Sequence, residues 1–223
     1  MHQVQRLTDI PVLEIRTRQP TVFHMTTLAD IRARTRTDLH DDGAEQRWTD
    51  DALDRHIAHA LAEMSLAMPR ELSTTITTTP GSRELSVTTL AGLADVRRVE
   101  YPTGDFPPCL VRFTQWGDNL LLDLPCPPDG GDATVDYTAS HTLDDSGSTL
   151  PGRFEDLLVM GASAYAALEQ SIATIDGLNT GGPAVPDQFA ASARARLTAF
   201  GQLLRQYGRA NRVTARRLVT PAF

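Results

Sequence analysis

The sequence predicts an α+β protein: a four-helix bundle with an antiparallel β unit inserted between its halves and extended arms at both ends. Two observations predict it. Apolar residues recur at helical spacing through 27–68 and again through 153–207, while the stretch between them is rich in threonine, punctuated by turns and alternates with a period of two. In addition, Pro11, Pro20 and Pro221 forbid a helix across either end of the chain. The expected division is an N-terminal arm at 1–26, a bundle from 27–71 and 146–207, a β unit at 72–145 and a C-terminal arm at 208–223.

Size and charge fit that class. The 223 residues are enough for one sizeable core, and 41% apolar with 22% charged residues is ordinary for a globular chain. A net charge of −7 argues against general nucleic-acid binding, which needs a basic footprint. No apolar run approaches the ~20 residues of a membrane-spanning helix, and 1–20 lacks a signal-peptide core, so a cytosolic product is expected.

The first helix is predicted at 27–39. Leu28, Ile31, Thr35 and Leu39 share a face, Thr27 caps the start with Asp30 at the third position, and Gly43 breaks the loop that follows. The second helix begins in "RWTDDALD". Thr49 is the N-cap, Asp50 and Asp51 complement the helix dipole in the first turn, and Trp48 packs on Leu53 as a hydrophobic staple. Leu53, Ile57, Ala60, Leu61, Met64 and Met68 continue as one apolar stripe until Pro69 stops it.

The period then changes. "ELSTTITTTPGSRELSVTTL" reads as two strands joined as a hairpin by the Pro80-Gly81 turn, and "ADVRRVEYP" as a further strand. "CLVRFTQWGDNLLLDLPC" reads as a second hairpin, turning at Gly117-Asp118 or at Asp118-Asn119. The first turn sets Arg112 opposite Asp123, Phe113 opposite Leu122 and Val111 opposite Leu124, giving one apolar face and one opposite-charge pair. "DATVDYTAS" completes the β unit. Helices return at 153–176, where Gly161, Ala162 and Ala166 leave room for a close neighbour, and at 187–207, with Phe189, Ala193, Leu197, Phe200, Leu204 and Tyr207 in line.

No catalytic constellation emerges. His56 and His59 lie three apart on a helix but lack the glutamate of H-E-x-x-H and read as a polar flank. Ser163 in "GASAY" lacks the final glycine of a nucleophile elbow and sits mid-helix. "DGGD" and "NTGGP" do not continue into a phosphate-binding loop, and "LDDSGS" lacks calcium-loop spacing. No cofactor and no metal site are expected. Cys109 and Cys126 face each other in the hairpin register and read as two reduced, buried thiols.

The tail "GRANRVTARRLVTPAF" carries Arg209, Arg212, Arg216 and Arg217 without an acid, followed by the apolar Leu218, Val219 and Phe223. It is either a solvated, frayed end or an arm that docks on an acidic partner.

"LADIRARTRTDLHDDGAEQRWTDDALDRHIAHALAEMS" resembles the N-terminal helix pair of tailed-bacteriophage head-to-tail adaptor (connector) proteins: a first helix, an acidic loop, then a W-T/S-D-x-x-L start, here Trp48, Thr49, Asp50 and Leu53. The β region followed by "LPGRFEDLLVMGASAYAALEQ" extends the resemblance over about 27–207. It implies a non-enzymatic virion structural protein of the neck, assembled in the host cytoplasm. Adaptors form a ring, in most cases a homo-dodecamer, beneath the portal protein. They extend the channel through which DNA passes without specific binding, and they offer a surface to tail or neck proteins. On that reading Arg209, Arg212, Arg216, Arg217, Leu218 and Phe223 dock on the portal. Two other classes remain: a small enzyme or ligand-binding domain whose site is assembled from scattered residues, and another neck or tail-completion protein.

Overall fold

The computed structural model describes residues 26–175 and 185–213, without side chains at 172–189 and 210–213. The element order is α1 (Leu28–Asp38), α2 (Asp50–Ala67), eight strands, α3 (Glu155–Ile175) and α4 (Val185–Val213). The α+β class and the inserted antiparallel unit are as expected. The expected N-terminal arm lies outside the described residues, except for Thr26, whose hydroxyl donates to Glu155 at 2.6 Å.

Both N-terminal helices start as their sequences dictate. Thr27 and Asp30 form a reciprocal capping box on α1. Thr49 accepts from the Ala52 N–H on α2. Trp48 is only 5% exposed and clusters with Leu53, Ala166 and Leu39. The staple therefore does more than fix the entry angle of α2; it also anchors that turn to α3.

The four helices do not form the regular bundle expected. α3 is the hub: α4, α2 and α1 pack on it, in falling order of intimacy. The reason lies in its small residues. A Cβ added at Gly161 would stand 2.8 Å from the Phe200 ring of α4 and 3.1 Å from Ala60 of α2. Ala162, Ala164 and Ala166 are fully buried around it. The core that results joins Ile31, Ile57, Met64, Leu158 and Phe200.

The β unit is one six-stranded antiparallel sheet in the order β1-β6-β3-β4-β5-β2, with β1 at Arg70–Thr77, β2 at Glu84–Ser86, β3 at Leu93–Glu100, β4 at Leu110–Trp116, β5 at Asn119–Asp123 and β6 at Asp132–Ala139. The register expected for the β4–β5 hairpin is present: Arg112 pairs with Asp123 and Phe113 with Leu122, across a Gly117-Asp118 turn. The expected β1–β2 hairpin is not. The turn at Pro80-Gly81 forms, with the Ser82 N–H donating to Thr79 O at 3.1 Å, but β1 pairs with β6 and β2 with β5 at opposite edges of the sheet. A flat six-stranded sheet would hold its edges ~24 Å apart. The short, turn-containing link 78–83 cannot span that, so the sheet curls into a half-barrel. Its concave face fills a second core with Leu85, Val99, Leu120, Leu122, Val135 and Tyr137. Two bulges in β3, between Leu93 and Asp95 and between Val96 and Arg98, add to the bend and place Leu93, Val96 and Val99 on one face at a spacing of three.

β7 (Leu143–Asp144) and β8 (Gly147–Ser148) make a small separate hairpin before α3. His141, in the link that follows β6, ties it to the end of α2. Its backbone N–H donates to Ser65 Oγ at 3.0 Å, and its ring nitrogens lie 3.1 Å from Thr149 O and 3.0 Å from Met68 O.

Thr49→Ala is expected to lower stability by ~0.5–2 kcal/mol, the worth of a cap. Trp48→Ala is expected to cost more, ~3–5 kcal/mol, because it empties the junction of the α2 start with α3. Denaturant melts of the two variants test the order.

Candidate interaction surfaces

The corner between α1 and α2 is held by a buried ion pair. Arg36, carried on the last turn of α1, directs Nη1 at Asp41 Oδ2 at 2.7 Å and Nη2 at Asp50 Oδ1 at 2.6 Å and Trp48 O at 3.1 Å. The Asp41 side chain is 1% exposed and also accepts from the Arg47 N–H at 2.7 Å. Asp50 is held below the usual carboxylate range by its hydrogen bond from Arg36. Arg32 adds a bidentate pair with Asp54, at 2.7 Å for each bond. These acids and bases satisfy one another, so this corner is architecture.

The same holds for residues singled out in the sequence. Ser163 is fully buried and donates to Asp38 Oδ2 at 2.8 Å, with Arg196 3.2 Å from the same carboxylate. Arg196 shares that carboxylate, which makes the trio a polar cross-link between α1, α3 and α4. His56 is a largely buried member of the α2–α3 contact rather than an open polar flank. Its Nε2 stands 2.6 Å from Glu169 Oε2 but off the line of a hydrogen bond. Burial pushes the imidazole below its ordinary value, against the pull of Glu169, whose own carboxyl is held down by its hydrogen bond from Arg55. The His59 ring packs, tilted by 49°, at 4.4 Å from that of Tyr165, whose hydroxyl is pushed up to about 12 by burial and by Glu63. Among the described residues no group of His, Cys, Asp and Glu is arranged to hold a metal ion, and no helix is long and apolar enough to cross a membrane.

Two grooves open on the surface. One, of about 580 Å³ between α1, α3 and α4, is lined by Arg34, Asp38, Asp156, Met160 and Arg196, whose charges pair with one another. The other, of about 600 Å³, lies between the end of α2, β1 and Gly208 of α4. There a Cβ on residue 208 would stand 2.8 Å from Ala67 O, so glycine lets α4 cross the end of α2.

The expected docking residues divide. Arg209 is exposed on α4 and Arg212 lies in the same helix, so the arm does not begin at 208 as expected: α4 continues to Val213. Arg216, Arg217, Leu218 and Phe223 lie outside the described residues. The thiols are also placed differently from expectation. Cys109 and Cys126 are free and exposed. The β4–β5 ladder ends at Arg112–Asp123, and Arg83 then takes the carbonyls of Leu124 and Pro125, drawing the end of the hairpin toward β2.

The sequence reading missed the outward face of the β4–β5 hairpin. Trp116 is 84% exposed and Leu121 51% exposed, among polar neighbours. The alternation of each strand was the available signal: with Leu120 and Leu122 inward, Leu121 has to face out.

Comparison with known proteins decides the family. The family described as "SU10 adaptor protein" matches residues 26–221. This chain belongs to that adaptor family. The expected resemblance is therefore borne out across the helices and the β unit alike. Among solved structures, a chain from the neck of an empty GTA particle, computed with C6 symmetry, is similar at 15% identity; the match covers 73% of this chain and 87% of that one, with a TM-score of 0.28. No curated protein matches.

Asp41→Ala removes the buried carboxylate from Arg36 and leaves it the pair with Asp50; the lost charge-assisted hydrogen bonds are expected to cost ~1–3 kcal/mol in a denaturant melt. His56 has its folded-state value below its unfolded one, so the unfolded chain takes up the proton first. Its contribution to stability is present above the ordinary value of 6.5 and is lost as pH falls below it. A His56→Gln variant is expected to flatten that part of the stability–pH curve.

Proposed function

We propose that this adaptor-family protein is a non-enzymatic structural component of a phage-like virion, joining head to tail. In this reading twelve copies form a ring beneath the portal, extend the DNA channel and offer a surface to tail or neck proteins. The observation that carries the reading is the family match over 26–221. The side-chain chemistry supports it, because the buried and half-buried ionisable groups of the helices serve as cross-links between α1, α2 and α3. A net charge of −7 also suits a channel, where a strongly basic lining would trap DNA rather than let it slide.

The portal contact is assigned to the segment 214–223, with Arg209 and Arg212 at its root on α4. Arg216 and Arg217 suit bidentate pairing with carboxylates, Leu218 and Phe223 suit apolar pockets beside them, and Pro221 disfavours a helix. A short arm binds weakly as one copy; a ring of arms binds tightly through effective concentration.

Deleting 214–223 is expected to leave the melt unchanged and to abolish attachment to portal-bearing capsids in a co-sedimentation assay. Normal attachment of the truncated chain would assign the portal contact elsewhere. Electron micrographs of the neck that contains the protein test the ring itself.

A further inference from the structure

The structure separates two exposed surfaces of opposite charge. On α4, Arg194, Arg205 and Arg209 are exposed. At 3.6 residues per turn they fall within roughly 60° of one another and extend over ~22 Å. No acid occurs anywhere from residue 190 to 223. None of the three arginines takes part in a described ion pair, whereas Arg196, on another side of the helix, pairs with Asp38.

The second surface is the outward face of β2, β5 and β4. Residues 70–139 hold ten acids against five arginines. On this face Glu84 stands beside Leu121 in the ladder, and Leu121 beside Thr114; Trp116 stands beside Asn119. The exposed Trp116 and Leu121 are thus flanked by Glu84, Asp118 and Asp123, with Arg112 as the one cation in the three strands. An apolar centre with a charged rim is the anatomy of a protein interface, and Trp and Arg are the side chains that dominate such interfaces.

We propose that the arginine face of α4 packs against the outward β2–β5–β4 face of a second copy of this chain. The proposal rests on the ring reading above and names the surfaces that would close the ring. Within one chain α4 packs chiefly on α3 and α2, and among the described residues no ion pair joins it to the sheet, so the two surfaces do not neutralise each other in cis. Two different, complementary surfaces on one chain make a head-to-tail contact, which closes into a ring or runs on as a filament. Charge selects the occupant: the basic face needs an acidic partner, and the same chain presents one that also carries exposed apolar side chains. The methylene stems of Arg194 and Arg205 suit Leu121, and a guanidinium suits the face of the Trp116 indole.

The test is charge reversal on each side and then on both, with assembly of the full chain followed by sedimentation velocity, alone and on portal-bearing capsids. Arg194→Glu with Arg205→Glu is expected to raise the concentration for half-assembly by about tenfold or more, as is Glu84→Arg with Asp118→Arg. All four changes in one chain should restore assembly, because each contact then pairs reversed with reversed charge. The substituted side chains are exposed, and thermal melts check that each variant is folded. A second readout needs no charge variant. Trp48 is already buried, so the tryptophan emission of the wild type should shift to the blue on assembly through Trp116, and Trp116→Phe should abolish that shift.

A wild-type ring indifferent to both reversals, or one whose emission does not shift, overturns this contact and leaves the ring reading standing. So does a result in which the α4 reversals abolish binding to a double-stranded DNA probe while assembly is unchanged; the arginine face would then serve DNA. A wild-type chain that stays monomeric both alone and on capsids overturns the ring reading and this contact with it.

Discussion

The close approach of three helices at Gly161 is the constraint on which the helical part depends. Phe200 of α4 and Ala60 of α2 occupy the space a side chain would need there. Any larger residue would push α4 away from α3, at ~1–3 kcal/mol or more for an overpacked core. Because Phe200 and Leu204 are buried against α3, the rotation of α4 about its own axis is fixed. That rotation turns Arg194, Arg205 and Arg209 to solvent. The same packing brings Gly208 over the end of α2, so α4 relies on a missing side chain both where it meets α3 and where it meets α2.

A second constraint governs the sheet. The link from β1 to β2 is too short and too bent to reach across a flat sheet, so the edges have to approach. Curling gives the sheet its own core, independent of the helices. The unit therefore does not need its convex face for stability, and the alternation of β4 and β5 leaves Trp116 and Leu121 there. An exposed apolar pair of this kind, rimmed by acids, marks an interaction surface more than a folding requirement. The chain leaving β6 is tied to the end of α2 by polar contacts, those of His141 with Ser65 and Met68.

Charge is distributed by role. Inside the helical part, Arg36 with Asp41, Arg32 with Asp54 and Arg34 with Glu155 close on one another and fix how α1 sits on α2 and α3. Outside, acids accumulate on the sheet and unpaired arginines on α4. The first set is already paired within the chain. The second is what a partner meets, and in the proposed contact its two signs are what one copy offers another.

Local signals determined much of this protein from sequence alone. The caps at Thr27 and Thr49, the staple at Trp48, the stop at Pro69 and the β4–β5 register at Gly117 each depend on residues a few positions apart, where short-range sterics and hydrogen bonding decide the outcome. The adaptor resemblance was legible for the same reason, since it rests on the capped start of α2. Only the tertiary structure decided the rest. The Pro80-Gly81 turn looked like a hairpin, yet its two strands belong to opposite edges, because partner choice in a sheet is set by contacts with β5 and β6 far along the chain. Helical periodicity gave four amphipathic helices but not their arrangement around α3, which depends on a glycine whose neighbours come from α2 and α4. The candidate surfaces divide in the same way. The arginines near the end of the chain were visible as composition. That one of them, Arg209, shares a solvent-facing stripe of α4 with Arg194 and Arg205, opposite in charge to the outward sheet face, follows from how Phe200 seats the helix, and no local rule contains that information.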